Sequence, residues 1–84
     1  MMTYYITFRS VTFAQRGEKL LRQGGVDCVL QRTPQWMEQR GCGYCLRIRP
    51  GDSLQALELL RRGGLPHSKL YAQTETGRVE ELPV

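Results

Sequence analysis

Two cysteines three residues apart, Cys42 and Cys45, stand in the stretch from Pro34 to Arg49 that also holds the only tryptophan, Trp36. Gly41 and Gly43 flank Cys42, which predicts a backbone bend with little side-chain crowding around the thiol. Arg40, Arg47 and Arg49 are close in sequence, and nearby positive charge favours the thiolate, the reactive form of cysteine. Lowering a thiol pKa from about 8.5 to about 7 raises the thiolate share at neutral pH from roughly 3% to roughly half. Cys42 is therefore the candidate reactive thiol, and Cys45 is its candidate partner.

The C-x-x-C spacing suggests a dithiol, but the local pattern argues against a thioredoxin-like arrangement. There the two cysteines open a helix, where residues three apart are neighbours, whereas Tyr44 to Arg49 followed by Pro50 reads as a strand. Three extended steps span about 10 Å, and a disulfide needs Cα atoms roughly 4.4–6.8 Å apart. A Cys42–Cys45 bridge would require a tight turn at Gly43. Zinc wants four ligands, and one C-x-x-C with a lone Cys28 and a lone His67 does not supply them, so neither metal nor cofactor is expected. Cys28, alternating with Val26 and Leu30, reads as a small buried hydrophobe. His67, beside Pro66, reads as an exposed loop residue, and Trp36 and Met37 as packing under the cysteine loop.

The elements that would position these residues follow from periodicity. Tyr4, Ile6 and Phe8 alternate with Tyr5, Thr7 and Arg9, a strand with the first set facing the core. Ser10 or Thr12 caps a helix whose buried face is Ala14, Gly17, Leu20 and Leu21, and Gly24-Gly25 stops it. Val26 to Gln31 reads as a second strand. After the third strand, Asp52 and Gln55 have capping-box spacing, and Leu54, Ala56, Leu57 and Leu60 form the buried face of a second helix stopped by Gly63-Gly64. Lys69 to Gln73 is the fourth strand. Leu20-Leu21-Arg22-Gln23-Gly24-Gly25 is repeated as Leu59-Leu60-Arg61-Arg62-Gly63-Gly64, 39 residues on.

Two β-α-β halves predict an α+β ferredoxin-like β-α-β-β-α-β sandwich: a four-stranded antiparallel sheet in the order 4-1-3-2, with both helices on one face. The expected domain is 1–75, with 76–84 a flexible or loosely packed C-terminal tail or a short hairpin arm. Tyr5, Thr7, Arg9, Cys45, Arg47 and Arg49 would then occupy an uncovered, basic, partly aromatic sheet face.

Composition bounds the function. The 84 residues carry a net charge of +4, and Asp and Glu are interleaved with Lys and Arg except around Arg40 to Arg49, a mild preference for anionic partners. No paired aromatic strand motifs of an RNA-binding sheet occur, so nucleic acid is not an expected partner. Three cysteines suit thiols kept reduced, and with no signal-like start or bilayer-length apolar run the expectation is a cytoplasmic protein with no membrane partner.

The run Tyr5-Ile6-Thr7-Phe8-Arg9-Ser10, the Thr33-Pro34 pair, Cys42-Gly43 entering a strand, and a closing Leu-Tyr strand together resemble the putative selenium/sulfur carrier protein-like family. The resemblance runs from about Thr3 to Gln73. It implies that Cys42 carries sulfur or selenium as a persulfide or selenide, that Thr33 and Pro34 belong to the site, and that the partners are a cysteine desulfurase-like donor and an acceptor protein. It implies a carrier rather than a stand-alone enzyme. Gln35 stands where a basic residue is expected, Arg40-Gly41 where small hydroxyl residues are, and Cys45 where a residue such as Ala is. Those departures keep open a small C-x-x-C redox protein. A further alternative is a non-enzymatic interaction module, including a homodimer, built on the open sheet face or a strand edge.

Overall fold

The apolar alternation at the start of the chain builds strand β1 (Thr3–Thr7), which lies at the centre of the sheet with Ile6 wholly buried. The computed structural model describes residues 3–33, 43–67 and 69–82. Helix α1 (Val11–Gln23) follows, then β2 (Cys28–Arg32), β3 (Tyr44–Ile48), a short 3-10 turn over Pro50–Asp52, helix α2 (Ser53–Arg62), β4 (Leu70–Gln73) and β5 (Val79–Leu82). The sheet is antiparallel throughout, in the order β2-β3-β1-β4-β5.

The first four strands lie in the expected sequence, but the sheet has five strands rather than four. The added strand comes from the segment expected as a loose end or hairpin arm. Thr74 N–H donates to the Arg78 carbonyl at 2.9 Å, Gly77 takes a φ of 88°, and β5 pairs with β4 from Gln73↔Val79 to Leu70↔Leu82. Leu82 thereby packs against the main core, and burying that side chain favours the pairing.

Both helices cover the face that carries Ile6, Leu46, Ile48 and Leu70, and Ala14, Leu21, Ala56 and Leu60 complete one apolar cluster with them. Ser10 is the N-cap of α1, its Oγ accepting from Phe13 N–H at 3.1 Å. The expected Asp52–Gln55 capping box does not form. Asp52 instead accepts from Arg49 Nε at 3.2 Å, and Gln55 Nε2 donates to the Gly24 carbonyl at 3.2 Å, satisfying a carbonyl at the end of α1. Leu54, expected on the buried face, is 82% exposed. At 100° per residue it falls about 160° from Ala56, so it cannot share the core face of Ala56 and Leu60. His67 is half-buried rather than exposed; its Nε2 is out of contact with solvent and has no hydrogen-bond partner among the described residues, and burial pushes its pKa down.

The two Gly-Gly stops are the same structure twice. Gly25 and Gly64 take φ of 84° and 65°, and each helix closes with paired bonds: Val26 N–H to Leu21 O with Gly25 N–H to Arg22 O, and Leu65 N–H to Leu60 O with Gly64 N–H to Arg61 O. Because the stop engages Val26 N–H, β2 begins at Cys28 rather than at Val26. The first glycine of each pair has a different duty. A Cβ at Gly24 would overlap the Leu59 side chain and one at Gly63 would lie 2.7 Å from Leu20 Cδ1, so each half's leucine seats on the other half's glycine.

Candidate functional site

The expected site residues lie in and beside the connection between β2 and β3. Gly43 opens β3 with a φ of 80°, a left-handed conformation that side chains with a Cβ disfavour, and its carbonyl accepts from Thr33 N–H at 2.7 Å. Thr33 is buried. One step into the sheet, Arg32 pairs with Tyr44 and its guanidinium lies 5.7 Å from the centre of the tyrosine ring. Thr33 and Gly43 are thus brought together at one end of the sheet. Pro34, Arg40, Gly41 and Cys42, with Trp36 and Met37, lie outside the described residues.

Other parts of the chain arrive at that same end. β1 runs antiparallel to β3, with Thr7 opposite Cys45, and continuing that register two residues brings Arg9 level with Gly43. Arg9 is exposed, and Ser10 follows as the cap of α1. The N-terminus of α1, the positive end of its dipole, therefore rises from the Gly43 end of the sheet. Thr7 and Lys69 close this end: Thr7 N–H donates to Lys69 O at 2.9 Å, and Thr7 Oγ1 accepts from Lys69 N–H at 3.0 Å. Lys69 Nζ pairs with Glu81 at 3.4 Å. Arg9 and the start of α1 were not among the expected site residues; the strand order 4-1-3-2 set β1 beside β3, but the level of Arg9 with Gly43 follows from the register.

Arg47 and Arg49 stand elsewhere. Arg47 is exposed, on the helix-free face, four residues along β3 from Gly43, which at about 3.3 Å per residue is roughly 13 Å. That exceeds the screening length of about 8 Å at physiological salt, so Arg47 adds little positive charge at Gly43, whereas Arg32, paired with Tyr44, stands one residue away.

The two described cysteines are both buried, on opposite faces of the sheet. Cys28 is 4% exposed at the start of β2, at the end opposite Gly43; its Sγ lies 3.8 Å from the Glu18 carbonyl, and burial pushes its pKa up against the opposing pull of Arg22. Cys45 has no exposed surface. It lies on the helix-free face as the alternation requires, but that face is not simply uncovered there: Cys45 packs with Tyr5 and Tyr71 in a second small cluster, and Tyr5 OH donates to Gln73 Oε1 at 3.1 Å. Among the described residues no group of three or more His, Cys, Asp or Glu side chains is placed to hold a metal ion, and no helix is long and apolar enough to cross a membrane.

Residues 3–72 match the family described as "Putative Se/S carrier protein-like", and the chain belongs to that family. The match begins with β1 and ends within β4, so it takes in both β-α-β halves and stops short of β5. No curated protein and no solved structure matches the chain.

Proposed function

We propose that this member of the family is a carrier that holds sulfur or selenium on Cys42. The observation that supports the choice of atom is the burial of the other two thiols: Cys28 is 4% exposed and Cys45 not at all, so neither is open to a macromolecular donor. Cys42 directly precedes Gly43 in the sequence. Arg32 beside Tyr44 and the positive end of the α1 dipole, both at the Gly43 end of the sheet, are the charges that would favour its thiolate.

The transfer needs no external oxidant or reductant. Cys42 thiolate attacks the terminal sulfur of a donor persulfide, a new S–S bond forms on Cys42, the donor S–S bond breaks, and the donor leaves as a thiolate. An acceptor thiolate repeats the step and returns Cys42 to its starting form. Selenium would take the place of the transferred sulfur atom. The donor is of the cysteine desulfurase type, and the chain itself acts as carrier.

Intact mass after incubation with a cysteine desulfurase and cysteine tests this. The parent protein should gain the mass of one sulfur atom, removable by a reducing thiol. Cys42→Ser should gain none, and Cys45→Ala should load as the parent does or accumulate more if Cys45 resolves the adduct. Loading of Cys42→Ser at the parent level would sink the proposal.

A further inference from the structure

A sheet in the order β2-β3-β1-β4-β5 has two edges, and the ladder shows which backbone groups the β2 edge holds open. Thr33 N–H donates to Gly43 O at 2.7 Å, so Thr33, Gln31 and Val29 turn their backbone groups toward β3, while Cys28, Leu30 and Arg32 turn theirs away from the sheet. Arg22 Nη2 covers the Cys28 carbonyl at 2.8 Å. The N–H and C=O of Leu30 and of Arg32 have no partner among the described residues. Open edge groups of this kind are a template for another strand.

The two edges differ in what flanks them. β5 carries Glu80 and Glu81 in its middle, both exposed, so pairing two copies through β5 would set carboxylates against carboxylates. β2 is flanked by exposed apolar side chains instead. Val29 is 43% exposed on the helix-free face, and Val11, 36% exposed, lies on the same flank of α1 as Glu18 and Arg22, within about 20° of each at 100° per residue. That flank borders the start of β2, where the Glu18 carbonyl lies 3.8 Å from Cys28 Sγ.

We propose that two copies of this chain pair antiparallel through β2, joining their sheets into one. The open groups are self-complementary about Leu30: its N–H and C=O exchange both bonds with Leu30 of the second copy, and Cys28 N–H of each copy donates to Arg32 O of the other. In that register Val29 faces Gln31 of the second copy and is the diagonal neighbour of its Val29, so both exposed valines bury apolar surface at the seam. Arg32, whose guanidinium has only the Tyr44 ring beside it among the described residues, comes opposite Cys28 at the start of the second copy's strand. Glu18 and Asp27 stand near that cysteine, each held by an arginine through one carboxylate oxygen, at 3.4 and 3.5 Å, with the other oxygen left to accept from Arg32. A seam one short strand long makes a weak dimer. The pairing uses no thiol, so it does not depend on the carrier reading.

Sedimentation velocity and amide hydrogen exchange on the full chain, from micromolar to millimolar protein in a reducing buffer, test it. The parent should pass from monomer to dimer over that range, and the Leu30 amide, open in the monomer, should gain protection in step. Val29→Lys sets like charges diagonally across the seam and should weaken the dimer about tenfold, while Leu54→Lys, at the exposed leucine of α2, leaves it unchanged. Val29 and Leu54 are both exposed, so neither change disturbs the core. Arg32→Glu should also weaken the dimer, and Cys42→Ser should dimerise as the parent does. A parent that stays monomeric at millimolar concentration, or a Leu30 amide whose exchange does not change with concentration, would overturn the pairing. So would a dimer weakened by Leu54→Lys and not by Val29→Lys, or one lost in Cys42→Ser.

Discussion

The sheet contains two hairpins that begin alike and differ in what they enclose. In both, a threonine follows the first strand and a glycine of positive φ lies within two residues of the second: Thr33 and Gly43 between β2 and β3, Thr74 and Gly77 between β4 and β5. The second hairpin shows how little chain reversal needs. Thr74 binds Arg78 through both its backbone and its Oγ1, Gly77 N–H donates to Thr74 O at 2.9 Å, and three residues, 75–77, complete the turn. The first encloses nine, 34–42, between residues that are themselves hydrogen-bonded. Turn geometry accounts for Gly43 but not for Trp36, Arg40, Gly41 and Cys42. A connection longer than reversal requires, set on a rigid hairpin, is where function is to be sought.

The comparison can be broken most completely by making the two hairpins equal. Replacing residues 34–42 with the Glu75-Thr76-Gly77 turn should leave a folded sheet, because Thr33 and Gly43 already stand in the register in which that turn joins Thr74 to Arg78. Loop shortening from nine residues to three should favour folding by about 1 kcal/mol through closure entropy. Sulfur loading should vanish. A graft that folds and still takes up sulfur would move the chemistry to Cys28 or Cys45 and remove the reason for treating the hairpins differently.

A smaller and more symmetrical effect is expected at the glycines. Gly43→Ala and Gly77→Ala each force a Cβ into the left-handed region, at a cost of about 1–2 kcal/mol in a denaturant midpoint. Both should destabilise to a similar degree, since φ is 80° at one and 88° at the other. Only Gly43→Ala should also slow loading of Cys42, because only that turn carries the thiol. Equal loading rates in the two variants would reduce Gly43 to a purely structural role.

Much of this was legible in the residues. The alternation of Tyr4, Ile6 and Phe8 and the repeat of Leu-Leu-Arg-x-Gly-Gly led to two β-α-β halves, and Gly25 and Gly64 have the positive φ that helix stops demand. The repeat did not reveal why each stop has two glycines: the first accommodates a leucine from the opposite half, a tertiary contact that no local pattern encodes. The fifth strand was obscured because Val79-Glu80-Glu81-Leu82 has too little apolar character to declare itself, and becomes a strand by pairing with β4. Sequence proximity grouped Arg47 with the Cys42-Gly43 pair, whereas an extended strand carries Arg47 away from Gly43; Arg9, distant in sequence, comes level with Gly43 when the β1–β3 register is continued. The burial of Cys45 by Tyr5 and Tyr71 joins three strands, so neither face alternation nor C-x-x-C spacing could show it.

The finest test sets a thiol on a strand against the thiol on the loop. Cys28 sits at the start of β2 with its pKa pushed up by burial, so the folded protein retains its proton at pH values where the unfolded chain, with an ordinary thiol near about 8.5, has begun to release it. The unfolded state then binds fewer protons than the folded one, and stability falls with rising pH. This contribution is complete below the unfolded thiol value and is lost as pH climbs from there through the folded value. The denaturant midpoint of the parent should therefore approach that of Cys28→Ala between about pH 8 and pH 10. In the same window Cys28 should resist alkylation until the protein unfolds, while Cys42 should already react below pH 8. A gap between parent and Cys28→Ala that stays constant with pH, or a Cys28 that alkylates as fast as Cys42 in the folded protein, would show that strand and loop do not set their thiols apart.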